Sequence, residues 1–328
     1  MKKVKFGNTD LEVSRIAFGG IPIQRLSKKE GVEVVKGVLG LEVTFIDTAY
    51  GYGDSEEKIG EAIRGTPRDE LVISSKSPAP DKKTFLEHVD TSLRRLCIDY
   101  IDIYHLHGVN SEEKLNQVMG KKGAFEGLLE VIDKGKVRYA AFSSHSLPVA
   151  KKLIQSNKFQ VTQIPFNFID EQAKEEVIPL ARNVNMGFIA MKPLGGGLLE
   201  DANLCFRYLM QFDGIIPDPG IERIEEMEEI VRIIENPRPL TDEEKKRIGK
   251  LRKELGEEWC HRCDYCQPCP QEIPISTVLI ARSVAKRMSF DEGDNFVGPA
   301  IEKAEECTEC GECVEKCPYN LNIPELLK

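Results

Sequence analysis

The feature that most constrains this chain is an alternation. Over the first 235 residues, apolar β-branched runs that end in Gly, Ser, Asp or His are each followed by a stretch with helical periodicity. The runs are SRIAFGG, VTFIDTA, ELVISSK, IDIYHLHG, VRYAAFSS, VTQIPFN, GFIAMKPLGG and GIIPD. Continuous apolar strands fit a parallel sheet covered by helices on its outer face. Eight such units predict a closed (β/α)8 TIM barrel rather than an open doubly wound sheet, with a short hairpin across Gly7 and Asn8 in front of it. No Gly-x-Gly-x-x-Gly follows the first run, which counts against a Rossmann fold. Six helices are expected between the runs, among them TFLEHVDTSLRRL and AFEGLLEVIDKG.

The barrel pattern stops at Asn236-Pro-Arg-Pro, which reads as a linker. The expected division is therefore a barrel over residues 1–236 and a small, mainly helical domain over 237–328. The second part opens with a charged helix whose capping box pairs Thr241 with Glu244. Another helix is expected over 275–288. The chain carries ten cysteines, and all but Cys97 and Cys205 fall in this region, between 260 and 317. A local cluster of this kind in a long chain reads as a metal site rather than a disulfide scaffold.

Composition sets limits on partners. With 45 basic and 54 acidic residues the net charge is −9, a poor match for nucleic acid or an anionic membrane. No apolar run approaches the ~20 residues needed to span a bilayer. The N-terminus has no signal-like core. A cytoplasmic location is expected.

In a βα barrel, reactive groups collect where strands end. Asp47 ends the second run, Tyr52 follows in its loop, Lys76 ends the third run and His107 the fourth. A tyrosine with an unperturbed pKa of ~10 is a weak acid at neutral pH, and an ammonium beside it stabilises the phenolate. A carboxylate holds the lysine, and a histidine orients a carbonyl oxygen toward the phenol. The segment IDTAYGYGDSEEKIG resembles the signature of the aldo-keto reductases. The resemblance implies a βα barrel, a nicotinamide cofactor (NADP or NAD), and interconversion of a carbonyl with an alcohol. It places the catalytic tetrad at Asp47, Tyr52, Lys76 and His107, with His105 outside it.

The same resemblance implies cofactor contacts. Ser143 and Ser144 stand where the family has Ser-Asn against the carboxamide, and Gln163 matches its glutamine partner. Met191 occupies the place of a ring-stacking aromatic. Leu194, Gly195 and Gly196 form the loop near the pyrophosphate. Asp218 and Arg223 fall in the segment that meets the adenosine ribose, where an acid disfavours a 2′-phosphate.

Cys307, Cys310, Cys313 and Cys317, followed by proline, match the bacterial-ferredoxin run Cys-x2-Cys-x2-Cys-x3-Cys-Pro. Cys260, Cys263, Cys266 and Cys269 form a run one residue shorter before its last cysteine. In two-cluster ferredoxins the fourth cysteine of each run serves the other cluster. That pattern assigns Cys260, Cys263, Cys266 and Cys317 to one [4Fe–4S] cluster. It assigns Cys307, Cys310, Cys313 and Cys269 to the other. One cluster, or zinc in paired Cys-x2-Cys hooks, are the competing readings. The combination resembles the iron–sulfur branch of the aldo-keto reductases. The alternative function is a redox-sensing or electron-transfer protein, with a ferredoxin-like partner, whose barrel binds nicotinamide without turnover.

Overall fold

The computed structural model describes all of residues 1–328. Strands β1 (Lys3–Lys5) and β2 (Glu12–Ser14) pair antiparallel, with Val4 opposite Val13. Eight parallel strands follow in strict sequence order: β3 (Ala17–Gly19), β4 (Phe45–Asp47), β5 (Val72–Ser77), β6 (Ile101–Leu106), β7 (Val137–Ser143), β8 (Val161–Pro165), β9 (Gly187–Met191) and β10 (Ile215–Asp218). A parallel bridge between Gly19 and Gly220, with the Gly19 amide donating to the Pro219 carbonyl at 2.8 Å, brings the last strand to the first. The barrel, its strand order and its helical coat are those the sequence predicts.

Alternate residues on each strand point inward. One from each strand (Ala17, Phe45, Val72, Ile103, Ala141, Val161, Ile189 and Ile216) joins a buried cluster with Phe6, Leu11 and Val13 of the hairpin. The hairpin is thus a floor that seals the amino-terminal end. Gly7 turns it at φ +58°, and a Cβ there would lie 2.3 Å from the Gly187 amide nitrogen. Gly7→Ala is expected to cost ~2 kcal/mol or more, combining a left-handed alanine with overpacking. A lowered thermal midpoint with the secondary-structure content unchanged is the outcome to look for.

The six expected helices are present, and others join them. Lys28–Gly40 is capped by a Ser27/Glu30 box, and Ile224–Glu235 follows β10. The charged helix forms at Asp242–Gly256 with its Thr241/Glu244 capping box. The expected helix over 275–288 is split into Ile275–Val278 and Ala281–Arg287, and Phe290–Ala304 follows it.

The packing divides the chain later than the Pro-rich linker. Leu240, Ile248 and Trp259 all belong to the large apolar cluster of the barrel shell. Arg252 ties the charged helix to Glu171 and to the Phe168 carbonyl. A second core begins at the cysteines and comprises Cys266, Ile273, Ile275, Val278, Ala300, Ala304, Cys313, Cys317, Leu321 and Ile323. No helix is long and apolar enough to cross a membrane.

Candidate active site and cysteine centre

Consecutive parallel strands carry three of the four tetrad residues to one end of the barrel. Asp47 is the last residue of β4, Lys76 lies near the end of β5, and His107 follows β6. Lys76 Nζ donates to Asp47 Oδ2 at 2.5 Å and to the Thr48 carbonyl at 2.6 Å, and it sits 5.2 Å from the centre of the Tyr52 ring. The Tyr52 and His107 rings meet edge to face at 5.9 Å. His105, two residues earlier, points into the barrel and meets Ser74 at 3.0 Å.

The charges hold one another. Burial works to neutralise Asp47, but Lys76, His105 and the hydrogen bonds from Lys76 and Ser74 outweigh it, so the carboxyl stays ionised below its usual range. Burial likewise works against the Lys76 ammonium, and Asp47, Tyr52 and Asp218 more than offset it. Burial pushes the Tyr52 phenol above its usual value, with Lys76 opposing. Lys76 therefore restrains the rise in the Tyr52 pKa without reversing it. Burial, then Lys76, presses His107 down to about 3, so its imidazole is neutral at ordinary pH.

A cavity of about 1070 Å³ opens above this group. Tyr52, Asp47 and His107 line its depth, and Ser143, Gln163, Met191, Leu194, Gly196, Asp218 and Arg223 continue along it. Small-molecule pockets span roughly 300–1,000 Å³, so this one has room for a dinucleotide as well as a substrate. The lining residues fit such a cofactor. Other expected contacts are placed differently. Ser144 is fully buried, and its hydroxyl donates to the Val109 carbonyl at 2.6 Å. Gly195 faces Trp259, since a Cβ there would lie 2.4 Å from the indole ring. Asp218 is buried beside the tetrad rather than at the rim. Gln163 donates to both Asp218, at 2.9 Å, and Asp47, at 3.1 Å. Burial and the Asp47 carboxylate push Asp218 well above the usual carboxylate range, with Lys76 and Gln163 opposing. Arg223 is exposed and paired with Glu226 at 3.0 Å.

The tail supplies part of the chamber. Ile280, Ala285, Lys286, Arg287, Met288 and Phe296 line the same cavity, as does Arg262. The helix Ala281–Arg287 lies across the mouth. Ser283 donates to the Gly196 carbonyl at 3.1 Å, Lys286 to the Gly197 carbonyl at 2.9 Å, and Arg25 to the Lys286 carbonyl at 2.5 Å. Sequence patterns gave no sign of this roof, nor of His145, Lys192, Arg262 and Arg287 in the chamber. The only local hint was that Lys192 follows Met191 and that Arg262 stands between two cysteines.

The cysteines sort into two groups in space. Cys266 lies within reach of Cys260 and Cys263, and Cys263 also senses Cys317. Cys313 neighbours Cys310, Cys307 and Cys269. Cys269, Cys307, Cys310 and Cys313 line one small cavity with Ile273, Ile275 and Leu327. Two cysteine runs that each end in Cys-Pro are the donor pattern of a pair of four-iron clusters. The donor set fits iron–sulfur clusters.

Residues 15–205, more than half of the chain, match the model of the Aldo/keto reductase family. Residues 259–322 match a 4Fe-4S dicluster domain. The "Probable aldo-keto reductase 1" of Glycine max is 29% identical over 215 residues, which cover 60% of this chain and 60% of that protein. The chain thus spans under two thirds of that relative's length. The "NADH-specific methylglyoxal reductase" of Escherichia coli is 26% identical over 228 residues, 61% of this chain and 69% of that protein. The holo form of aldo-keto reductase AKR11C1 from Bacillus halodurans superposes with a TM-score of 0.65 at 24% identity, covering 76% of this chain and 96% of that one.

Proposed function

Because this chain belongs to the Aldo/keto reductase family and carries a 4Fe-4S domain, we propose that it interconverts a small carbonyl compound and its alcohol with a nicotinamide cofactor. The observation that carries this reading is the Lys76–Asp47 pair held beside Tyr52 at the floor of the chamber. When bound, the nicotinamide supplies a hydride to the carbonyl carbon. Neutral His107 donates its ring N–H to the carbonyl oxygen and fixes its orientation. Tyr52 gives that oxygen its phenolic proton, and the ammonium of Lys76 stabilises the phenolate left behind. Asp47 holds Lys76 charged and in place. In the oxidative direction Tyr52, as phenolate, takes the alcohol proton.

Ser143, Gln163, Met191 and the Leu194–Gly197 turn would hold the cofactor, with the polarisable Met191 side chain against the nicotinamide ring in place of an aromatic. The rim favours NADH over NADPH. Arg223 is tied to Glu226, Arg25 lies 3.7 Å from Glu222, and Glu229 adds a further acid. A 2′-phosphate would find no free cation there. Cys260, Cys263, Cys266 and Cys317 would hold one cluster and Cys307, Cys310, Cys313 and Cys269 the other. Clusters, when bound, supply one-electron chemistry and cross-links between the two runs. An electron partner of ferredoxin type and a cytoplasmic location accord with such centres.

A turnover screen of aldehydes and ketones with NADH and NADPH, on anaerobically purified protein, tests the reading. Absence of turnover with every pair would sink it. The pH profile is a second check. Tyr52 stays protonated below a pKa raised above 10, and His107 stays neutral above about 3. Carbonyl reduction should be flat from about pH 5 to 9. Alcohol oxidation should rise about tenfold per pH unit over that span, because it requires the phenolate. A reductive rate falling as pH rises through 7 would contradict these roles.

A further inference from the structure

We infer that the chamber selects a carbonyl substrate that also carries an anionic group, a carboxylate or a phosphate, held by Lys192, Arg262 and His145 with Arg287 alongside. This deepens the proposed function and rests on its carbonyl chemistry. The chamber is lined by seven lysines and arginines, and they differ in what they meet. Arg25, Arg223 and Lys286 have Glu222, Glu226 and Glu200 as partners. Lys114 donates to the Pro78 carbonyl. Lys192, Arg262 and Arg287 have no carboxylate partner, although they face the same space as Tyr52 and His107.

Their nearest protein contacts do not neutralise them. Arg287 Nε donates to the Ser283 carbonyl on its own helix, which leaves the rest of its fork open. Arg262 Nη1 lies 3.3 Å from His145 Nε2. A guanidinium only donates, so Nε2 accepts and the His145 proton is on Nδ1. That Nδ1–H and the Arg262 Nε–H are both buried without a partner. Of the acids near Arg262, Asp264 forms no ion pair with it, and Asp170 is already taken by Trp259 at 3.1 Å, His261 at 2.7 Å and Asn167 at 3.1 Å. Unpartnered donors of this kind are costly, and a bound anion would satisfy them.

Burial, with Arg262 and Arg287 adding to it, drives the Lys192 pKa well below its usual value. Asp170 and Cys260 oppose that shift, and burial lowers the His145 pKa, so the cluster is a set of donors without a dedicated acceptor, gathered from the barrel and the tail. Arginine forms charge-assisted hydrogen bonds to a carboxylate or a phosphate.

The test uses substrate pairs in which one member carries the anion and the other lacks it. Pyruvate and 4-oxobutanoate are compared with their methyl esters, and dihydroxyacetone phosphate with dihydroxyacetone, on the iron-loaded protein. At least one acid should exceed its neutral partner in kcat/KM by about 10- to 100-fold, the range for hydrogen bonds to charged groups. Which pair responds tells carboxylate from phosphate. Lys192→Met and Arg287→Met should bring that ratio toward one by raising KM for the acid, and Arg287→Lys should restore part of it. Equal use of acid and neutral forms by the unaltered protein would overturn the inference. So would variants that raise KM for the nicotinamide instead, since the cations would then serve its pyrophosphate. If no carbonyl turns over, the reaction assignment fails. Calorimetric titration with 4-oxobutanoate and its ester then decides the anion site by itself, and equal or absent binding of the two would refute it.

Discussion

Replacing Tyr52 with phenylalanine is expected to lower carbonyl reduction by about 10²- to 10⁴-fold, the usual contribution of a positioned general acid. The change removes one hydroxyl and leaves the ring that packs against His107 and beneath Lys76. Nicotinamide binding should persist, because the expected cofactor contacts lie on other strands. The effect should fall on kcat, since the proton is needed in the transition state and not for binding. Lys76→Met should approach the same loss by a different route. It would leave Asp47 buried without its cation, and the Asp47 carboxyl would then rise toward neutrality. Unchanged turnover in the phenylalanine variant would remove Tyr52 from the chemistry.

The second large effect concerns iron. Anaerobically prepared protein should be brown and hold about eight irons per chain if both [4Fe–4S] sites fill. The second core is small, and three of its ten buried members, Cys266, Cys313 and Cys317, are cysteines. Without metal those thiols are merely buried, and burial raises Cys260 to about 11 and Cys266 to about 12. Iron must displace those protons, and the folding of this part is coupled to that step. Chelation should therefore expose the chain to protease from about residue 260 onward. Residues up to Trp259 should survive as a folded fragment, because Leu240, Ile248 and Trp259 pack in the barrel's own cluster. Cys317→Ser should damage the cluster anchored by Cys260, Cys263 and Cys266. Colourless protein with stoichiometric zinc after anaerobic reconstitution would defeat the iron assignment. An iron count near four would discard the two-cluster scheme.

Legibility in the sequence followed how local each signal was. All eight barrel strands could be read because each buries both faces and so appears as an unbroken apolar run. The Asp47–Tyr52 spacing lies within one βα unit, and Lys76 and His107 stand at the ends of the next two apolar runs, so all four candidates were visible as strand ends or their loops. The helix Lys28–Gly40 was hidden by its own composition, since Gly31, Gly37 and its valines are poor helix formers. Those glycines answer to neighbours elsewhere, as a Cβ on Gly31 would meet Lys58 at 2.7 Å and one on Gly37 would meet Ile224 at 2.9 Å. Phe290–Ala304 was hidden in a similar way by Pro299 and two glycines. Ser144 and Gly195 carry the residue types of a cofactor contact, yet one closes a strand end and the other admits Trp259. The donors of the chamber lay beyond any pattern, because positions 145, 192, 262 and 287 meet only through the tertiary fold.

The helix Ala281–Arg287, laid across the barrel's open end, separates two tasks that many enzymes place in one set of loops. On the proposed reading the strands hold the groups that move a proton, while Ile280, Arg287, Met288 and Phe296 of the tail line the space above them. An ancestor of this chain could thus acquire a new diet by changing its appendage, with the reaction machinery left as inherited. If the segment beyond residue 260 needs its clusters to fold, as predicted above, the same arrangement ties appetite to iron supply.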